Sequence, residues 1–206
     1  GAINALNMID GIDGLSGSLS IVSLLLVATA VYVAGDLAYF ALIVIIAGGV
    51  AGFLYFNLRY FGRRRARCFL GDNGSMLLGF VFAWLLTDLS QPNGSARAIT
   101  PVTTLWLFAV PLIDTLCVML RRVWMGRSPF HADRNHLHHL FLRAGFRVQD
   151  TVVVLAAVQL GFGAIGLAGM YADGVDEIAM LLLFVALFAL CFVVVLRPWR
   201  VVPLLR

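Results

Sequence analysis

Lysine is missing from this 206-residue chain, so all 15 basic side chains are arginine, and Glu177 is the single glutamate among 11 acidic residues. Charge of either sign is scarce at 13%, against roughly 25% in an ordinary soluble domain, while apolar residues reach 61%. So little charge cannot cover a surface in water, which excludes an ordinary soluble domain and leaves a polytopic membrane protein. Cysteine is also scarce: Cys68, Cys117 and Cys191 are far apart and lack CxxC spacing, and two of them lie inside apolar runs. That pattern argues against a disulfide framework or a structural zinc site. The chain opens at Gly1 without methionine and without the basic-then-apolar pattern of a signal peptide. Its first residues read as the end of a helix begun upstream, and the whole as a carboxy-terminal fragment.

A hydrocarbon core of about 30 Å needs roughly 20 helical residues. Six segments come near that length, about 16–34, 38–58, 75–89, 101–120, 151–171 and 178–196. The expected architecture is therefore all-α, a polytopic transmembrane helix bundle of about six spans forming one integral membrane domain over 1–206 in a lipid bilayer. The third segment is short and is expected to borrow turns from a flanking loop or to tilt. Gly48, Gly49, Gly52, Gly161, Gly163, Gly166 and Gly169 offer small faces for close helix packing, including a Gly48-x-x-x-Gly52 spacing.

With alternating spans the connectors form two sets, and every arginine except Arg97 falls in one of them. The other set holds Arg97 with Asp36, Asp88, Asp173, Asp176 and Glu177. By the positive-inside rule the arginine-rich set faces the cytoplasm. The basic excess is thus a matter of topology, and no nucleic acid is expected as a partner. Three connectors come together on that side, 1–15, 59–74 and 121–150, and they contain nearly every residue with chemical potential.

In the first connector, Asn4, Asn7 and Asp10 recur every three residues and share one side of a helix, which Gly11 and Gly14 then break, with Asp13 between them. Amides and carboxylates converging on a bend are hard oxygen ligands for a cation or hydrogen-bond partners for a sugar or base. The second connector runs Arg63-Arg-Arg-Ala-Arg67-Cys-Phe69-Leu-Gly71-Asp72-Asn73-Gly74-Ser75 into the third span. That places Asp72 at a helix N-terminus, where free N–H groups accept phosphate and a carboxylate can hold magnesium bridged to it; a plain N-cap at Asp72 or Asn73 is the simpler alternative. Phe69 could stack on a nucleobase, although a phenylalanine next to a membrane span is usually simply buried. All four histidines lie in the third connector, His131, His136, His138 and His139, beside Asp133 and Arg134. If the helix runs from Asp133, His136 and His139 stand one turn apart. Phosphate binding beside Arg134 suits this cluster better than a transition-metal site. Asp114, inside the fourth apolar run, is either functional or a hydrogen-bonded tie to a neighbouring helix.

Taken in order and spacing, Asn4-x-x-Asn7-x-x-Asp10-Gly-x-Asp13-Gly, Phe69-Leu-Gly-Asp72-Asn-Gly-Ser75 and Asp133-Arg-x-His136-x-His138-His139 resemble the cytoplasmic motifs of the polyprenyl-phosphate N-acetylhexosamine-1-phosphate transferases, glycosyltransferase family 4. Ser128-Pro-Phe130 through Arg134, the span containing Asp114, and Arg143-Ala-Gly-Phe146 are most similar to the branch that acts with N-acetylglucosamine and undecaprenyl phosphate. The branch that transfers phospho-N-acetylmuramoyl-pentapeptide is similar but carries a different histidine segment. The resemblance covers 1 to about 150 and continues weakly beyond.

It implies a magnesium-dependent phosphoglycosyltransferase of the bacterial inner membrane with a cytoplasmic site, in which manganese could substitute for magnesium. Such an enzyme moves a sugar 1-phosphate from a UDP-N-acetylhexosamine to undecaprenyl phosphate and releases UMP, the first membrane step of cell-envelope polysaccharide synthesis. By position Asp72 resembles the metal-binding aspartate and Asn7 an accessory ligand. Asp10 and Asp13 resemble an essential acidic pair near the nucleotide, and Phe69 a uracil contact. His136, His138 and His139 match essential histidines near the donor diphosphate, and Asn4, Asn73, Ser75, Asp133 and Arg134 extend the substrate-binding set. The family also uses an adjacent Asp-Asp pair that this chain lacks, expected upstream. A homodimer is left open. The rival readings are a histidine-dependent metal transporter, which would string ionisable groups across the bilayer, and a non-catalytic membrane scaffold.

Overall fold

The computed structural model describes residues 1–59, 65–92, 97–128 and 136–196, and among them every regular element is a helix. In chain order these are α1 (Ala2–Ile9), α2 (Leu15–Val33), α3 (Leu37–Asn57), α4 (Gly71–Ser90), α5 (Pro101–Leu107), α6 (Ala109–Trp124), α7 (Leu137–Arg143), α8 (Val148–Tyr171) and α9 (Glu177–Leu196).

α2 is the centre of the bundle. Its residues from Leu15 to Ser20 are all buried, and it lies between α3 and α8. Serines at 16, 18, 20 and 23 keep its buried surface narrow, so neighbouring helices approach closely. The outer helices show the opposite pattern. α9 has a mean hydropathy of 3.2, yet only 11% of its apolar window is buried. An apolar helix that turns most of its surface outward suits a lipid environment. Four helices, α2, α3, α8 and α9, are long and apolar enough to cross a membrane, and the pair α5 and α6 adds a fifth if taken as one bent span.

The expected third segment is a full 20-residue helix because it takes Gly71–Gly74 from the preceding loop, although Asp72, Asn73 and Asp88 leave α4 outside the apolar set. The expected fourth span is not one helix: α5 and α6 meet at Phe108 with an 86° bend. Pro111 accounts for the break, since its ring would clash with the Leu107 carbonyl in a continuous helix and it has no N–H to give. The freed backbone groups are met from α8. Gln159, fully buried, accepts from Val110 N at 2.8 Å and donates to Leu107 O at 2.9 Å. No described residue of this chain packs on the expected Gly48, Gly49 and Gly52 face: nothing among them lies within 4 Å of where a Cβ would stand at any of the three. Gly163 and Gly166 do serve that role, against Leu26 and Trp106.

α1 is short, buries Ala5, Leu6 and Ile9, and packs on α4 and α6. At Gly79 an added Cβ would come within 2.5 Å of Ile3 Cα, so only glycine lets α4 approach the α1 backbone this closely. That docking brings the ends of both helices together.

Candidate active site

Two of the three polar connectors meet where α1 ends and α4 begins. Asn7, in the last turn of α1, donates from Nδ2 to Asp72 Oδ1 and to Ser75 Oγ, both at 3.1 Å. Asp72 is exposed in the first turn of α4, and the helix is capped by Leu70 without a side-chain bond, so neither Asp72 nor Asn73 is the N-cap. Ser75 is buried beneath and returns its hydroxyl to Gly71 O and Asp72 O. The Asp72 carboxylate, held by Asn7 and exposed, therefore stands at the positive end of a 20-residue helix dipole without capping it.

After Ile9 the chain turns through Asp10-Gly11-Ile12-Asp13-Gly14, and Gly14 has φ +86°, which favours glycine. Its N–H donates to Asn57 Oδ1 at 2.6 Å, and Asn57 Nδ2 donates to Cys68 O at 2.7 Å. One amide at the end of α3 thus ties the aspartate turn to the second connector. Asp13 is ion-paired with Arg59 Nε at 2.6 Å. Asp10 instead accepts from Ser16 Oγ at 2.6 Å. Burial lifts the Asp10 carboxyl above the usual carboxylate range; the Ser16 bond opposes this, and the charges of Asp72 and Asp13 add to it. A cleft of about 150 Å³ lies between Asp10–Asp13, Asn57 and Phe69–Leu70. Phe69 is 76% exposed at its rim.

The third connector comes in from the opposite side. α7 begins at Leu137 with His136 as its N-cap, so the helix starts later than Asp133; His136 and His139 are still one turn apart, with His139 N bonded to His136 O at 2.9 Å. His131, Asp133 and Arg134 lie outside the described residues. His136 Nδ1 is 2.7 Å from Asp114 Oδ2, and the Leu137 N–H donates to Asp114 Oδ1 at 2.7 Å. His138 is 1% exposed, and neither of its ring nitrogens has a hydrogen-bond partner among the described residues. A Cβ on Gly11 would lie 2.4 Å from His138 Nε2, so the ring rests directly on the aspartate turn. Burial, followed by the neighbouring His139, lowers His138 to about 4, so it is neutral at pH 7. The half-buried His139 stacks obliquely on it at 4.2 Å.

Asn7, Asp10, Asp13, Phe69, Asp72, Ser75 and His138 are therefore brought together, with His136 and His139 beside them. Asn73 is exposed on the first turn of α4. Asn4 is drawn elsewhere, to a mostly apolar cavity of about 230 Å³ between α1 and α6. Asn57, Arg59, Ser16 and Asp114 complete the arrangement. Asn57 has a sequence signal, an amide in the last turn of an apolar run, that is easily passed over as a helix end.

Among the described residues no three His, Cys, Asp or Glu side chains close on one point. An ion held together with a phosphate takes one or two carboxylates and completes its shell from water and phosphate oxygens, so the groups that could hold one here are single oxygen donors. Asp72 presents an exposed carboxylate that could hold such an ion, and Asn7, whose Nδ2 faces Asp72, has Oδ1 to offer beside it. The arrangement can hold an anion bridged to a cation at the head of α4, with the uncharged His138 ring on its far side.

The family model described as Glycosyl transferase family 4 matches residues 1–90. An undecaprenyl-phosphate alpha-N-acetylglucosaminyl 1-phosphate transferase of Escherichia coli O157:H7 is 38% identical over 205 residues, all of this chain and 55% of the relative. A protein of the same name from Yersinia pestis gives the same figures, and one from Pasteurella multocida is 37% identical over 83% of this chain and 46% of its own length. The chain spans about half the length of the curated relatives it matches. No solved structure matches it.

Proposed function

Since this chain belongs to glycosyl transferase family 4, we propose that the protein transfers N-acetylglucosamine 1-phosphate from UDP-N-acetylglucosamine to undecaprenyl phosphate, releasing UMP. The sugar and the lipid follow from the relatives' names. The observation that carries the reading is the junction of three connectors, Asn7 on Asp72 and His138 on Gly11.

We place this junction on the cytoplasmic face of a bacterial inner membrane, in a bundle of six spans counting α4 and the bent α5–α6 pair. The acceptor, a phosphate monoester with a second pKa near 6, is largely dianionic at pH 7 and needs no strong protein base. What has to be overcome is repulsion between anions. Magnesium, held by Asp72 with Asn7 as an accessory ligand, would supply charge neutralisation on the donor diphosphate. The first N–H groups of α4 present donors to a phosphate oxygen, and the neutral His138 offers a hydrogen bond without binding so tightly that product stays. Phe69, exposed at the cleft, stacks on the uracil, and Asp13 is held against Arg59 as the rigid side of that cleft. The lipid phosphate then attacks the sugar-bearing phosphorus directly.

A metal transporter is disfavoured because no path of ionisable groups crosses the described bundle between its two ends, and Asp114, set deeper, is occupied by His136. The test uses full-length protein, magnesium, undecaprenyl phosphate and UDP-N-acetylglucosamine labelled in the β-phosphate. The label is expected in the lipid product together with free UMP; label remaining in a water-soluble nucleoside diphosphate would show simple glycosyl transfer and contradict the reading.

A further inference from the structure

Resting on that transfer reaction, we propose that Asp114 is a positioning residue, which sets the histidine segment against the aspartate turn by acting through His136. Asp114 is fully buried in the second turn of α6, and both of its oxygens are committed to the start of α7. A buried carboxylate is costly unless donors meet it, and here two donors from adjacent residues do so at 2.7 Å each. The two bonds have different effects. The bond from Leu137 N fixes where α7 begins. The bond to His136 Nδ1 fixes which way the imidazole faces. With the Asp114 carboxylate as acceptor, Nδ1 carries the proton, and Nε2 is left as an acceptor for a hydroxyl or amide N–H of the donor sugar.

From His136 the order is passed along the segment. The His136 and His138 ring planes lie within 10° of parallel, with centroids 5.8 Å apart, and His138 in turn seats its Nε2 against Gly11. Asp114 itself does not line the cleft beside Asp10 and Phe69. Its effect on the reaction is therefore indirect, as with the carboxylate that holds a hydrolase histidine in its working tautomer.

Asp114→Asn separates this role from a purely structural one. The amide oxygen still accepts from Leu137 N, while the NH₂ group faces His136 Nδ1 and forces the ring proton to Nε2. In full-length protein with histidine labelled with ¹⁵N, the wild type is expected to show His136 protonated at Nδ1, and Asp114→Asn protonated at Nε2. Helix content and thermal midpoint should stay near wild type while kcat for UMP release falls by at least about 100-fold; the corresponding change in a hydrolase triad costs on the order of 10⁴. The KM for the UDP-sugar should change far less than kcat. Wild-type protein that transfers no sugar phosphate overturns the transfer reading and this inference with it. An active wild type with Asp114→Asn retaining kcat within threefold overturns the inference alone. So does wild-type His136 unprotonated at Nδ1, a readout that stands even if the variant does not fold.

Discussion

At pH 7 His138 is an uncharged ring pressed on Gly11, and its burial has a thermodynamic consequence. The unfolded chain takes up a proton at this residue near 6.5, whereas the folded one resists until about 4. Between those values the unfolded state binds more protons, so stability contributed by neutral His138 is lost as pH falls from 6.5 toward 4. The thermal midpoint should drop across that window, and His138→Gln should drop less steeply; parallel curves for the two proteins would show that the ring is not held neutral by the fold. Asp10 and Asp13 illustrate the same dependence on surroundings. In the sequence they are equivalent, each followed by glycine in one turn. In the structure Arg59 neutralises Asp13, whereas Asp10 is half-buried near like charges and is the carboxyl lifted in pKa. Their inequality depends on Arg59 and Ser16, which reach them from other elements.

Among the elements, the α5–α6 break depends on one residue from a distant helix. Gln159→Leu would leave Val110 N and the Leu107 carbonyl unpaired in a low-dielectric interior, a loss on the order of 2 kcal/mol, while Gln159→Glu keeps an acceptor for Val110. Unfolding followed by thermal shift should place the leucine variant clearly below wild type; an unchanged midpoint would mean that the bend does not rely on Gln159. Most helices were legible because long apolar runs bounded by glycine, aspartate or arginine leave few alternatives. α2, α3, α8 and α9 start and end within about three residues of the expected limits. The break at Phe108 was not read, although Pro111 announced it, because a proline within an apolar run is tolerated in membrane helices when a neighbour satisfies the backbone. The Gly48–Gly52 stripe faces outward from the described residues, and spacing alone identifies such a small face without saying which partner covers it. In the site, Asn7, Asp72 and the histidines were legible as types and spacings. Asp114 was legible as a hydrogen-bonded tie to a neighbouring helix, but its partner His136 and the role of Asn57 were not, since they depend on contacts between residues 22 and 43 positions apart.

Over the whole molecule, the proposed orientation puts Arg127 and Asp173 on opposite sides of the bilayer. Single-cysteine proteins, Arg127→Cys and Asp173→Cys in a background with Cys68, Cys117 and Cys191 replaced, should label with a membrane-impermeant maleimide from opposite sides. Position 173 is expected to react in intact spheroplasts and position 127 only in inverted vesicles; the same sidedness for both would contradict the span count. Such a topology gathers one wall from α1 and the turn after it, one from the head of α4, and one from α7. UMP release by full-length wild type, Asp72→Ala and His138→Gln, assayed side by side with UDP-N-acetylglucosamine, undecaprenyl phosphate and magnesium, tests whether these walls form one site. Release by the wild type and a loss of at least about 100-fold in each variant, with helix content intact, is the expected result. No release by the wild type, or release undiminished by Asp72→Ala, would contradict it.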